Sequence, residues 1–150
     1  MTEEKTQSNK NLDEEEYISL FKNEYESSPF WKQMGIEMDQ LDQNHVRIKM
    51  HMTPNFLNVN GSVHGGVTAA LLDSIMGVTL RHKFYEAKVA TISLTTQFIA
   101  PVFVGTIIYA TAKVVHSGRR IASLEAKLES ETGELLAGGI GTFMIWKTEK

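Results

Sequence analysis

The residues best suited to chemistry lie in one run, Asn58-Val-Asn-Gly61-Ser-Val-His64-Gly65-Gly66-Val-Thr-Ala-Ala-Leu-Leu-Asp73. Turn-forming residues lead into His-Gly-Gly, and a mostly apolar stretch follows. Asp73 is its only charged side chain before Arg81. A carboxylate flanked by Leu71, Leu72, Ile75 and Met76 is costly to bury unless it has partners or a task. A glycine-rich helix start bares backbone N–H groups at the positive end of the helix dipole. An oxyanion donor and a lone carboxylate on one helix are the parts of an acyl-transfer or hydrolysis site. Each part also has a plain alternative. Asp73 can face solvent or pair with Arg81 or Lys83, His64 can simply cap the helix, and Gly65-Gly66 can serve tight packing.

Helix geometry narrows the choice. His64 and Asp73 are nine positions apart, so at about 100° and 1.5 Å per residue they point in opposite directions, roughly 13 Å apart. They cannot meet on one copy of the helix. Two such helices lying antiparallel across a twofold axis would bring the start of one to the middle of the other. The spacing therefore favours a site shared between subunits.

The surrounding pattern supplies the elements. Residues 1–12 are polar and are expected to be a disordered acidic tail; residues 13–150 are expected to form one domain. Tyr17, Ile18, Leu20, Phe21 and Tyr25 recur at helical spacing over 14–26, with Pro29 expected to close that helix. Phe30, Trp31, Met34 and Ile36 read as an apolar lead-in to a sheet. Val46, Ile48, Met50 and Met52 alternate with polar residues as a half-buried strand does. The best helix runs from His64 to about Lys83. Four strands follow, over 89–100, 105–116, 121–130 and 134–146. The short breaks at Ser117-Gly118 and Thr132-Gly133 predict antiparallel neighbours. One long apolar helix in a mostly antiparallel sheet is an α+β layout. That helix is apolar on most faces, which points to cover by self-association. Glycines 138, 139 and 141 in the last strand predict a bend or a close backbone approach.

Composition excludes several classes. A net charge of −3 with scattered basic residues gives no nucleic-acid surface. No apolar run is long enough to span a bilayer, and the acidic start is unlike a signal peptide, so a cytoplasmic protein is expected. With no cysteine, thiol nucleophiles and thiolate metal sites are absent. The five histidines lack metal-ligand spacing, so neither metal nor cofactor is expected.

The order Asn58, Gly61, His64, Gly65, Gly66, Asp73 resembles the signature of the PaaI-like hotdog-fold thioesterases, the phenylacetyl-CoA type. The resemblance extends from about Pro29 to Ile145, including the Thr-rich strand that ends in Phe98-x-x-Pro101. It implies a hotdog fold, with an antiparallel sheet wrapped around one central helix. It also implies a homodimer with paired sheets, a homotetramer of two such dimers, and an acyl-CoA substrate. Carried onto this chain, it implies that the Gly65 N–H polarises the thioester carbonyl and that Asn58 and His64 orient that carbonyl or the attacking water. It further implies that Asp73 of the other subunit acts as general base or as nucleophile, with Thr91 holding the water or the carboxylate. Gly66, Arg81, Lys83, Arg119 and Arg120 are candidates for binding substrate, the basic four through the CoA phosphates. Phe56, Leu57, Met76 and Phe84 are candidates for the acyl pocket. The competing functions are a non-catalytic acyl-CoA binding module, which needs no carboxylate, and a hotdog dehydratase or hydratase, which needs an acid/base pair for water addition.

Overall fold

The computed structural model describes residues 12–85 and 87–146. The expected tail, apart from Leu12, lies outside them. Helix α1 (Glu14–Glu26) opens on a reciprocal cap. Asp13 Oδ1 accepts from the Glu16 N–H at 2.8 Å, and Glu16 Oε2 accepts from the Asp13 N–H at 3.3 Å, which satisfies two amides at the chain's entry to the helix. Its bounds match the expectation, but Pro29 does not close it. The proline instead opens a second helix, α2 (Pro29–Met34), at the position where its missing N–H costs nothing. Gly35 ends α2 at φ 72°, a left-handed cap that favours glycine. The expected lead-in is thus a helical turn that buries Trp31.

Six strands follow: β1 (Ile36–Leu41), β2 (Val46–His51), β3 (Lys88–Phe98), β4 (Ile107–Ser117), β5 (Ile121–Ser130) and β6 (Leu135–Trp146). They form one sheet in the order β1-β2-β4-β5-β6-β3, with every neighbouring pair antiparallel. The hairpins β4–β5 and β5–β6 fall where the glycine turns predict them. β1 was not anticipated, because Glu37 and Asp39 interrupt its apolar residues with types that strands disfavour.

The sheet packs on helix α3 (Gly65–Lys83), whose Leu71, Leu72, Ile75, Met76, Val78 and Leu80 are fully buried. The β6 glycines permit the close approach. A Cβ on Gly141 would sit 2.9 Å from Met76 Sδ, and one on Gly139 would sit 3.4 Å from Leu72 Cδ1. This is the α+β layout expected, a sheet around one central helix.

Two features of β3 position the site. Among the described residues it is an edge strand, bonded there to β6 alone. Its register slips between Thr91 and Ser93. Without that bulge Thr91 and Leu94 would face opposite sides of the sheet. With it, Thr91 (opposite Phe143), Leu94 (opposite Gly141) and Phe98 (opposite Ala137) share the face that meets α3.

Candidate active site

The loop before α3 is built by Asn58. Its Oδ1 accepts from the N–H groups of Asn60 (2.9 Å) and Ser62 (3.2 Å), while its Nδ2 donates to Ser62 Oγ at 3.1 Å. The Val63 N–H reaches Val102 O at 2.8 Å and the His64 N–H reaches Phe56 O at 2.7 Å. The helix start is therefore tied to two neighbouring segments. His64 is the N-cap, extended at φ −60°, ψ 133°. Its Nδ1 accepts from the Gly66 N–H at 2.8 Å, and its carbonyl accepts from Val67 N–H at 2.9 Å. The Gly65 N–H has no acceptor among the described residues. Of the amides at this helix entry, that one is left to bind something else. Gly66, a candidate for binding substrate, has its N–H occupied by the cap.

The ring of Phe98 lies on Gly65: a Cβ there would meet Phe98 Cε1 at 3.1 Å. Beside them opens a cavity of about 360 Å³ whose walls include Val63, Thr68, Val102 and Ala137. The proposed pocket residues Phe56, Leu57, Met76 and Phe84 do not line it. Met76 is fully buried under Gly141, and Phe84 caps the far end of α3.

Asp73 is half-buried in mid-helix, and Thr91 Oγ1 donates to its Oδ1 at 2.7 Å. No cation pairs with it among the described residues. Arg81 instead gives Nη1 to Glu24 Oε1 at 3.0 Å and to Tyr25 Oη at 3.4 Å. As a candidate phosphate ligand Arg81 is already engaged, holding α1 to α3. Lys83 is exposed beside the Phe84 ring. Arg119 and Arg120 occupy the exposed β4–β5 turn and make no ion pair among the described residues. The Ile145 N–H donates to Arg120 O at 2.7 Å, which fixes that turn at the end of the sheet where Thr91 lies.

The other end of α3 carries a polar network that the sequence did not suggest. Tyr17 Oη lies 2.8 Å from His82 Nδ1, and His82 Nε2 lies 2.7 Å from Asp42 O. A carbonyl only accepts, so Nε2 carries a proton, and in the Nε2–H tautomer Nδ1 accepts from the Tyr17 hydroxyl. Burial, reinforced by Tyr85, raises the Tyr17 phenol above its ordinary range and keeps it a donor. The available sequence signal was the pairing of aromatic residues on α1 with the basic last turn of α3.

Comparison with known proteins places this arrangement. The family model of the Thioesterase superfamily matches residues 60–137, just over half of the chain. The chain belongs to the thioesterase superfamily. Among its relatives is the acyl-coenzyme A thioesterase PaaI of Escherichia coli, 26% identical over 113 residues that span 75% of this chain and 79% of that one. Another is acyl-coenzyme A thioesterase 13 of Pongo abelii, 30% identical over 95 residues, 63% of this chain and 68% of that one. The solved E. coli PaaI structure superposes with a TM-score of 0.74 at 24% identity, covering 81% of this chain and 86% of that one; that likeness concerns the fold. This protein is a PaaI-like hotdog thioesterase, a thioester hydrolase. Among its described residues no helix is long and apolar enough to cross a membrane.

Proposed function

We propose that this thioesterase hydrolyses acyl-CoA to the free acid and CoA in a site shared by two copies of the chain. The observation that carries the reading is the polarity of β3. One end of this unpaired edge holds Thr91 against Asp73, and the other lays Phe98 on Gly65. The strand is eleven residues long with one charge, Lys88, at its start, and it exposes Ile92 and Phe98. An edge of that kind pairs readily. Antiparallel pairing with the same strand of a second copy sets the Thr91 end of one beside the Phe98 end of the other. Asp73 of one subunit then faces Gly65 of its partner, a meeting that the helix forbids within a single chain.

In that site the thioester oxygen takes the free Gly65 N–H at the positive end of α3. The His64 ring, whose Nδ1 is committed to Gly66, offers an Nε2 proton to the same oxygen. Thr91 fixes one oxygen of Asp73 and leaves Oδ2 to take a proton from water. The water oxygen attacks the carbonyl carbon, and negative charge collects on the oxygen held by Gly65. Collapse of this intermediate breaks the C–S bond, and the departing CoA thiolate recovers the proton from Asp73. Asn58 acts mainly as a positioning residue, because its side chain builds the loop that aims the helix start. Arg119, Arg120 and Lys83 are the cations available for the CoA phosphates. Residues 13–150 act as one catalytic domain, and the dimers pair into a tetramer.

The test is complementation. Gly65→Pro removes the N–H at a helix position that suits proline, after a residue already extended as proline requires, and its Cβ presses on the Phe98 ring of the same site. Asp73→Asn removes the base. Each variant should be nearly inactive alone. After subunit exchange at equal ratio, half of the dimers are hybrids with one intact site each, so activity should return to about a quarter of wild type. No recovery with exchange verified would exclude the shared site.

A further inference from the structure

We propose that Phe98 and the cavity beside it determine which acyl groups this thioesterase accepts: apolar, unsubstituted and compact. The proposal rests on the Gly65 N–H holding the thioester oxygen. Gly65 and Phe98 line the same cavity, and the Phe98 ring lies 3.1–3.7 Å from where a Gly65 Cβ would stand. An acyl chain that enters this cavity from the Gly65 N–H therefore runs along this ring. On one chain the space beyond measures about 360 Å³, near the lower end of the roughly 300–1,000 Å³ typical of small-ligand pockets. Its floor is set by Val102, Leu136 and Ala137, which are 5%, 4% and 1% exposed and leave little room to yield.

Polarity follows from the same inventory. Among the described residues, Ser62 and Thr68 alone bring polar side chains to this cavity, and both hydroxyl protons are committed. Thr68 Oγ1 donates to Gly65 O at 2.9 Å, and Ser62 Oγ donates to Asn58 Oδ1 at 3.4 Å while accepting from Asn58 Nδ2 at 3.1 Å. A carboxylate on the acyl chain, which can only accept, would find no side-chain donor there, which is costly. Phe98 itself is 61% exposed in the single chain, so trimming it should not cost the fold.

The experiment measures kcat/KM of the wild type, Phe98→Leu and Phe98→Ala. The substrates are straight-chain acyl-CoAs from butyryl to palmitoyl, with ω-carboxyacyl-CoAs of matched length. Thermal melts and size-exclusion chromatography confirm that both variants are folded and keep the wild-type assembly. The wild type should favour short chains and the unsubstituted member of each pair. Preference should move to longer chains in Phe98→Ala by about tenfold or more in the ratio of long to short, with Phe98→Leu between. Variants that rescale every substrate by one factor, on an active wild type, would overturn the role of Phe98 while leaving acyl-CoA hydrolysis intact. A wild type inactive on the whole panel would overturn the substrate reading and this proposal with it.

Discussion

The two ends of α3 are built to opposite specifications. At the last turn, Arg81 is bound by Glu24 and Tyr25, and His82 is held between Tyr17 and Asp42 O. Phe21, fully buried, packs among Tyr17, Tyr25, His82 and Tyr85. The polar groups there are mostly partnered, with Thr79 Oγ1 the buried exception among the described residues, and basic residues suit the negative end of the dipole. At the first turn, the cap accounts for the Gly66 and Val67 amides and leaves the Gly65 N–H free; farther along, Asp73 has one hydroxyl for company. One end is largely satisfied; the other leaves an amide and a carboxylate for the proposed chemistry. Unmet groups beside a rigid anchor are what preorganised catalysis requires, since the anchor keeps them from relaxing toward other partners.

The sharpest way to break this contrast is to exchange its consequences. Asp73→Asn keeps the size of the side chain and an oxygen for Thr91, so the thermal midpoint should hold. Turnover should fall by about 10²–10⁴-fold, the range for a positioned general base. Thiol release from acyl-CoA is a clean readout, because the chain contributes no cysteine. Turnover close to wild type would remove the carboxylate from the mechanism.

Phe21→Ala should do the reverse. Emptying a fully buried aromatic site costs about 3–5 kcal/mol in comparable cores, read as a lower urea midpoint. Turnover per folded molecule should stay near the wild-type value, because α1 meets α3 at the end away from Gly65. A variant with normal stability and impaired turnover would show that the N-terminal helix belongs to the site after all.

The same contrast explains what the sequence disclosed. The end proposed to react offered a readable pattern because its features are local. A turn-former run, a cap residue, paired glycines and a carboxylate on an apolar helix are all properties of consecutive residues. α3 and the strands from β2 onward were legible for a similar reason, since their periodicity is continuous. The anchored end depends on residues distant in sequence, with Tyr17 meeting His82 and Glu24 meeting Arg81, and no local pattern announces such pairs. That is why Arg81 looked available for a phosphate. Gly66 looked like a free donor because the return of the His64 ring onto it is a rotamer choice. β1 escaped notice because it is short and acidic. Phe98 stood in a recognised Phe-x-x-Pro, yet its contact with Gly65 depends on the β3 bulge, and the bulge is a matter of register.

A finer test lies in the β1–β2 turn, which ties the anchored end to the sheet through the Asp42 carbonyl. The Asp42 carboxyl is held down at about 2, against an ordinary 3.8, chiefly by the Asn44 N–H, with help from the Gln40 side chain and from His45. A depressed carboxyl adds stability that is fully present above its unfolded pKa and is lost as pH falls through the folded value. The window is therefore between about pH 4 and pH 2. Asp42→Asn still accepts from the Asn44 N–H but cannot titrate there. Urea midpoints measured across that window should fall less steeply for the variant than for the wild type, with equal turnover at neutral pH. Parallel curves would mean that the turn carries no acid-sensitive share of the anchor. Unequal turnover at neutral pH would mean that the two ends of α3 communicate, and the division of labour would then have to be redrawn.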